Sequence, residues 1–168
     1  QFFYDWGKKN NIEVTIIKPV SHENTIVKSR QIRSSIEQGN FNQAIEALGH
    51  PYLIIGKVTK GDNRGKTLGF PTANLQVAEN KLIPNNGVYK GHVLINNTPY
   101  KAMIYIGNRP TFNTSHSIEV FILNYDKNLY NKELYVFVTQ FLRQEIKFQS
   151  QDQLIEQIHK DIAIAYDD

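Results

Sequence analysis

Gly49-His50-Pro51-Tyr52-Leu53-Ile54-Ile55-Gly56-Lys57-Val58-Thr59 is where the chain changes character. Upstream, apolar residues recur at helical spacing over Ser29 to Gln38 and Phe41 to Leu48, after a short apolar run, Ile12 to Ile17, that reads as a strand. Gly39 can end the first helix, Asn40 with Gln43 resembles a capping box, and Gly49 followed by Pro51 closes the second. From Pro51 onward, β-branched and aromatic residues alternate with polar ones. That alternation is the signature of half-buried strands.

Working outward from that stretch, strands are predicted near Leu53 to Thr59, Val88 to Ile95, Tyr100 to Ile106, Ile118 to Tyr125 and Leu134 to Leu142. Turn signals separate them, among them Asn85-Asn86-Gly87 and Asn96-Asn97. With no helix between them the strands should pair antiparallel, and closure into a small, Greek-key-like barrel would remove exposed edges. A helix is predicted from Gln151, capped by Ser150 with Gln153, and its Leu154, Ile155, Ile158, Ile162 and Ala165 form one stripe to lay on the barrel. The expected fold is therefore mainly β: an α/β fragment over residues 1–50, then a small antiparallel barrel with a C-terminal helix over residues 51–168.

A chain of 168 residues, 40% of them apolar, suffices for one core with a small appendage. No apolar run approaches the roughly twenty residues that span a bilayer. The opening Gln1-Phe2-Phe3-Tyr4-Asp5-Trp6 lacks the basic start of a signal peptide, and without an initial Met it reads as part of something longer. The absence of cysteine excludes disulfides and thiolate metal sites and suits a reducing cytoplasm. A net charge of +3 is mild, and the Lys and Arg residues form no stripe of the kind nucleic-acid binders carry. Their densest group, Lys57, Lys60, Arg64 and Lys66, surrounds a glycine-rich segment. It suits a nucleotide triphosphate as well as a polymer, and solvated loop charge would also account for it.

That segment runs from Gly56 to Gly69 and holds four of the ten glycines. Glycines let backbone N–H groups approach an anion closely. Gly61-Asp62-Asn63-Arg64-Gly65-Lys66-Thr67 looks like a P-loop, but three residues rather than four separate Gly61 from Gly65-Lys66-Thr67. Leu68-Gly69-Phe70-Pro71 follows, where a P-loop needs a continuing helix.

Strand alternation puts Ile118, Val120 and Ile122 on one face and Glu119 with Phe121 and Leu123 on the other. A carboxylate among apolar neighbours is disfavoured in its charged form and suited to work as a general base, whereas one at a strand end in water is not. Thr72 and Asn74 supply a hydroxyl and an amide carbonyl, hard oxygen donors apt for Mg²⁺ bridged to phosphates. The same Pro-Thr-x-Asn run also suits a turn bonded to its own backbone. His22, His50, His92, His116 and His159 are dispersed without zinc-ligand spacing, and no Gly-x-Ser-x-Gly elbow occurs.

Gly69-Phe70-Pro71-Thr72-Ala73-Asn74, with its upstream glycines, resembles the signature of riboflavin kinases, including the kinase module of bacterial bifunctional FAD synthetases. Gly87-Val88-Tyr89, Ile106 to Phe112, Ile118 to Leu123, Asp126 to Tyr130 and Phe141 to Phe148 are similar to that family's further blocks, in order, from about Pro51 to the C-terminus. The resemblance implies an ATP-dependent kinase that converts riboflavin to FMN with Mg²⁺, having ATP/ADP and riboflavin/FMN as partners and neither nucleic acid nor membrane. It implies Glu119 as catalytic base and Thr72 and Asn74 as metal ligands. Gly56, Gly61, Gly65, Lys66, Gly69, Thr72, Asn74, Gly87 and Tyr89 would lie on the ATP side, and Arg143 and Glu145 on the flavin side. An ordinary surface ion pair would also explain the last two.

The first fifty residues resemble the tail of the adenylyltransferase module of those bifunctional enzymes, through Ile26-Val27-Lys28-Ser29-Arg30-Gln31-Ile32-Arg33 and Gly39 through Tyr52. Lys28, Arg30 and His50 depart from its pattern, and its His-x-Gly-His motif is missing from this sequence, so FMN adenylylation is not expected of this stretch. Lys66 stands where the kinase family often has Arg and Asn131 where Gly is usual. A barrel that merely binds flavin, nucleotide or oligonucleotide is the rival class, and steep salt dependence would mark the oligonucleotide binder.

Overall fold

A computed structural model describes residues 1–22, 25–61, 64–108 and 116–166, with Arg64 described by its backbone alone. Asp62-Asn63 of the glycine segment and the part of the Ile106–Phe112 block from Arg109 onward lie outside the described residues.

Helix α1 (Phe2–Lys9) is followed by a chain that doubles back, with the Ile12 amide donating to the Gly7 carbonyl at 2.9 Å. The strand expected over Ile12 to Ile17 does not form. Among the described residues no strand is paired with this stretch, and Ile16 and Ile17 are exposed. β propensity expresses itself only where a neighbouring strand takes up the backbone groups. The two-residue strands β1 (Ser21–His22) and β2 (Thr25–Ile26) pair with each other.

Helices α2 (Ser29–Glu37) and α3 (Phe41–Leu48) form where their periodicity predicts, and Gly49 ends α3 in the left-handed conformation at φ 74°. The capping box expected of Asn40 is absent. Asn42 instead docks α3 onto the barrel: its Oδ1 accepts from the Phe141 amide at 2.7 Å. Phe41, 1% exposed, inserts edge-on between Tyr52 and Tyr89, so this helix shares the barrel's core.

Six strands close the barrel: β3 (Tyr52–Thr59), β4 (Ala73–Val77), β5 (Gly87–Ile95), β6 (Thr98–Gly107), β7 (Ser117–Ile122) and β8 (Glu133–Arg143), with the four-residue helix α4 (Arg64–Thr67) between β3 and β4. Their spatial order is β3-β4-β7-β6-β5-β8 and every pairing is antiparallel. β5, β6 and β7 are successive neighbours and β8 returns beside β5, which is a Greek key. Ile54, Ile104, Val136 and Val138, all 0% exposed, lie in the core cluster. Asn96 and Asn97, at φ 50° and 63°, turn the β5–β6 hairpin in the positive-φ conformation its right-handed twist requires.

Helix α5 (Gln151–Tyr166) begins where predicted, the Gln153 amide donating to Ser150 Oγ at 3.3 Å. It packs against β6. Its buried face carries an unexpected carboxylate, Asp161, at 2% exposure. Among the described residues, no helix is long and apolar enough to cross a membrane.

Candidate active site

Side chains that face one another across paired strands share a face of the sheet. Register puts Asn74 of β4 opposite Glu119 of β7, Glu119 opposite Tyr105 of β6, Tyr105 opposite Val88 of β5, and Val88 opposite Arg143 of β8. These five residues form a row around the barrel's outer face. Their neighbours Leu75, Ile104, Ile106, Ile118 and Val120 point inward to the core.

Glu119 is half-buried on this row, and the Thr72 hydroxyl donates to its Oε2 at 2.9 Å. Phe121 shares the face of Glu119, as alternation predicts, whereas β7 ends at Ile122, before Leu123, and the carboxylate also meets a hydroxyl and has Tyr105 opposite it. The turn alternative for Pro71-Thr72-Ala73-Asn74 is also overturned, because Ala73 and Asn74 open strand β4. That strand escapes the sequence reading because turn-forming residues fill its entrance.

The glycine segment packs on this row. Any side chain at Gly61 would collide with the Asn74 amide, which is itself only 9% exposed. At Gly65, a Cβ would strike the Phe70 carbonyl and lie 3.3 Å from Thr72 Oγ1. The Phe70 amide donates to the Gly65 carbonyl at 2.8 Å, closing the bend that delivers Thr72 to Glu119. Gly69 turns the chain at φ 87° with open space beside it, and Lys66 is exposed on α4. Phe70 stacks edge-on against Phe121 of β7 and His159 of α5, at centroid distances of 5.8 and 5.3 Å. Glycine loop, β7 and C-terminal helix thus meet at one aromatic cluster.

Three further residues expected on the ATP side are on the barrel strands β3 and β5. Gly56 faces inward in the barrel wall, where a Cβ would come within 3.0 Å of the Gln76 carbonyl and Val77 Cγ1 of β4. Tyr89 is 1% exposed, its ring between Phe41 and Phe141 and its hydroxyl bonded to the Asn85 carbonyl. Burial pushes that phenol up to about 12. Gly87 lies where a side chain would collide with Phe141 and the Arg143 carbonyl. Both residues are on β5, across the barrel from β4.

Of the two residues expected to contact flavin, Arg143 ends β8, so strand alternation does not carry through to Glu145. The two do not form an ion pair together. Arg143 makes a forked pair with Asp161, Nε at 3.0 Å from Oδ1 and Nη2 at 2.8 Å from Oδ2, while Gln157 donates to Oδ1 at 2.9 Å. Glu145 accepts from the Tyr105 hydroxyl and, at 3.1 Å, from Asn86 Nδ2. No local pattern in the sequence marks Tyr105, Asn86 or Asp161 as part of the site. Alternation alone places Tyr105 outward between Ile104 and Ile106, but its neighbours follow only from strand register.

Among the described residues, no three His, Asp or Glu side chains cluster as a metal site. The donors gathered at the loop are neutral: the Thr72 hydroxyl, which spends its proton on Glu119 and keeps its lone pairs, and the Asn74 amide. Such a set fits a hard cation that brings its own anionic ligands.

The riboflavin kinase (flavokinase) family profile matches residues 48–167, from the end of α3 through α5. The bifunctional riboflavin kinase/FMN adenylyltransferase of Listeria monocytogenes is 37% identical over 175 residues, covering 95% of this chain and 56% of that protein. A crystallised Streptococcus pneumoniae protein, named a macrolide-efflux protein, superposes with a TM-score of 0.84 at 34% identity, over 95% of this chain and 54% of the other. The riboflavin kinase of Trypanosoma brucei, at 22% identity, TM-score 0.52 and coverage of 70% of this chain and 79% of its own, shares the fold. This chain spans about half the length of the curated relatives it matches. With its closed Greek-key barrel and the profile match running through loop, barrel and C-terminal helix, it belongs to the riboflavin kinase family.

Proposed function

We propose that this chain transfers the γ-phosphoryl group of ATP to the 5′-hydroxyl of riboflavin, giving FMN and ADP. The observation that carries the reading is the contact between the Thr72 hydroxyl and the Glu119 carboxylate, with Asn74 beside it under the glycine segment. Glu119 takes the proton of the attacking hydroxyl as its oxygen bonds to phosphorus, and the bond from phosphorus to the β-bridging oxygen breaks toward ADP. Base assistance of this kind contributes roughly a hundred- to ten-thousand-fold in rate. Backbone N–H groups of the glycine segment and the exposed Lys66 attract the phosphates, so the protein's work is positioning and charge compensation.

Thr72 and Asn74 would hold Mg²⁺, which when bound neutralises charge on the phosphates. Two neutral donors bind Mg²⁺ weakly alone, so metal and ATP arrive together. Residues 1–50 are read as the tail of an adenylyltransferase module, consistent with the profile beginning at residue 48. FMN adenylylation is not assigned to them. We read the work as cytoplasmic and without a nucleic-acid or membrane partner, a reading supported by the absence of cysteine and of any basic stripe in the sequence. The test is to incubate the purified chain with riboflavin and Mg-ATP and separate the flavins. FMN and ADP in equal amounts support the kinase, and bound but unconverted flavin would make it a binding barrel.

A further inference from the structure

We propose that Tyr105 is a positioning residue for the polyhydroxyl part of the substrate: its hydroxyl, seated over Gly107, fixes Glu145 as a second acceptor on the face that carries Glu119. The inference rests on the kinase reading above and names what selects the sugar-like tail.

Tyr105 is directly opposite Glu119 across the β6–β7 ladder and is 38% exposed. Residues two apart on a strand share a face, so the phenol ring leans along β6 over Gly107, where any side chain would collide with its hydroxyl. From there the hydroxyl donates to Glu145 Oε1, and Asn86 donates to Oε2. Both carboxylate oxygens are therefore held, one from β6 and one from the turn before β5. A carboxylate offers about four lone-pair directions, and two remain open here on an exposed side chain.

The electrostatics keep Tyr105 a donor. Burial, the hydrogen bond to Glu145 and the charges of Glu145 and Glu119 all push its phenol above its ordinary value, and Arg143 only partly opposes them. A fixed, acceptor-only carboxylate favours ligand hydroxyls and repels anions. A ligand that presents one hydroxyl to Glu119 and another to Glu145 is a neutral polyol chain.

The test titrates the full chain, as wild type, Tyr105→Phe, Glu145→Gln and the double variant, against riboflavin and against lumiflavin, which has the ring without the polyol. Flavin fluorescence quenching is the readout. Tyr105→Phe should weaken riboflavin about tenfold, the scale of one hydrogen bond to a charged group. It should leave lumiflavin unchanged and add nothing in the Glu145→Gln background. In turnover the loss should fall on the riboflavin KM rather than on kcat, with the Mg-ATP KM unmoved. Wild-type riboflavin affinity in Tyr105→Phe, equal weakening of lumiflavin, or losses that sum in the double variant would each overturn the proposal. Wild-type protein that fails to bind riboflavin overturns the kinase reading itself, before any variant is compared.

Discussion

Thr72 and Glu119 are 47 residues apart in sequence, yet the threonine hydroxyl donates to the glutamate's Oε2 at 2.9 Å. Strand pairing makes this possible. β4 joins β7 only because the barrel closes out of sequence order, with β5 and β6 on the far side of β7. The bend Gly65–Phe70 then turns Thr72 toward the row on which Asn74 and Glu119 are direct neighbours. The alcohol and the carboxylate thus become one unit, a hydrogen-bonded pair in which the acceptor is oriented before any substrate arrives.

Glu119→Gln keeps the shape of that pair and removes the proton acceptor. Turnover should fall by at least about a hundredfold, the lower bound for a general base. Riboflavin affinity, read by flavin fluorescence, should stay within about twofold, since an amide oxygen can still accept from Thr72. Near wild-type kcat would remove Glu119 from the mechanism.

Thr72→Ala deletes one hard oxygen donor and leaves Glu119 without its hydrogen-bond partner. Calorimetric titration with Mg-ATP should show affinity weakened by about tenfold, roughly the 1.4 kcal/mol scale of one lost polar contact. ATP titrated in EDTA should show a much smaller difference between the two proteins. Equal Mg-ATP affinity would refute Thr72 as a metal ligand.

The barrel was legible in the sequence because period-two alternation is a local signal, and it survives in β3, β5, β6, β7 and β8. β4 was not, since Pro71, Thr72 and Asn74 are turn formers and nothing local says that β7 will pair with them. Ile12–Ile17 failed for the opposite reason: strong propensity without a partner strand. Strand alternation marks Glu119 and donor chemistry marks Thr72 and Asn74, the motif resemblance suggests their roles, and register shows how Asn74 and Glu119 meet. Tyr89 shows the reverse, a motif residue whose ring the fold spends on the core. Asp161 was invisible because its partner Arg143 is on β8 and helix periodicity treats a carboxylate as surface.

Two glycines of the segment should answer differently to alanine. Gly61 faces the Asn74 amide with no room for a Cβ, and Asn74 is nearly buried and cannot swing aside. Gly61→Ala should therefore raise the KM for Mg-ATP severalfold while the barrel's melting temperature hardly moves. Gly69 has open space but φ 87°, where a side chain costs about 1 kcal/mol. Gly69→Ala should show the milder kinetic effect. The reverse ranking, measured by initial rates and thermal melts, would mean that the loop does not rest on Asn74.

The Arg143–Asp161 pair should govern how firmly α5 holds the barrel. Asp161 is 2% exposed and Arg143 19%, so breaking the pair from one side strands a charge where water cannot fully reach it. Asp161→Ala should cost about 3–5 kcal/mol, the scale for removing one member of a buried pair. Urea unfolding would read this as a lower midpoint at unchanged slope. Replacing both partners, as Arg143→Met with Asp161→Leu, should recover much of the loss, because no charge is then left unpaired. The consequence reaches the site through His159, which α5 sets against Phe70 one residue before Pro71-Thr72. Asp161→Ala should therefore lose activity at temperatures below its unfolding transition. If the single variant unfolds at the wild-type midpoint, the helix is held by its apolar stripe alone, and the ion pair is incidental to the fold.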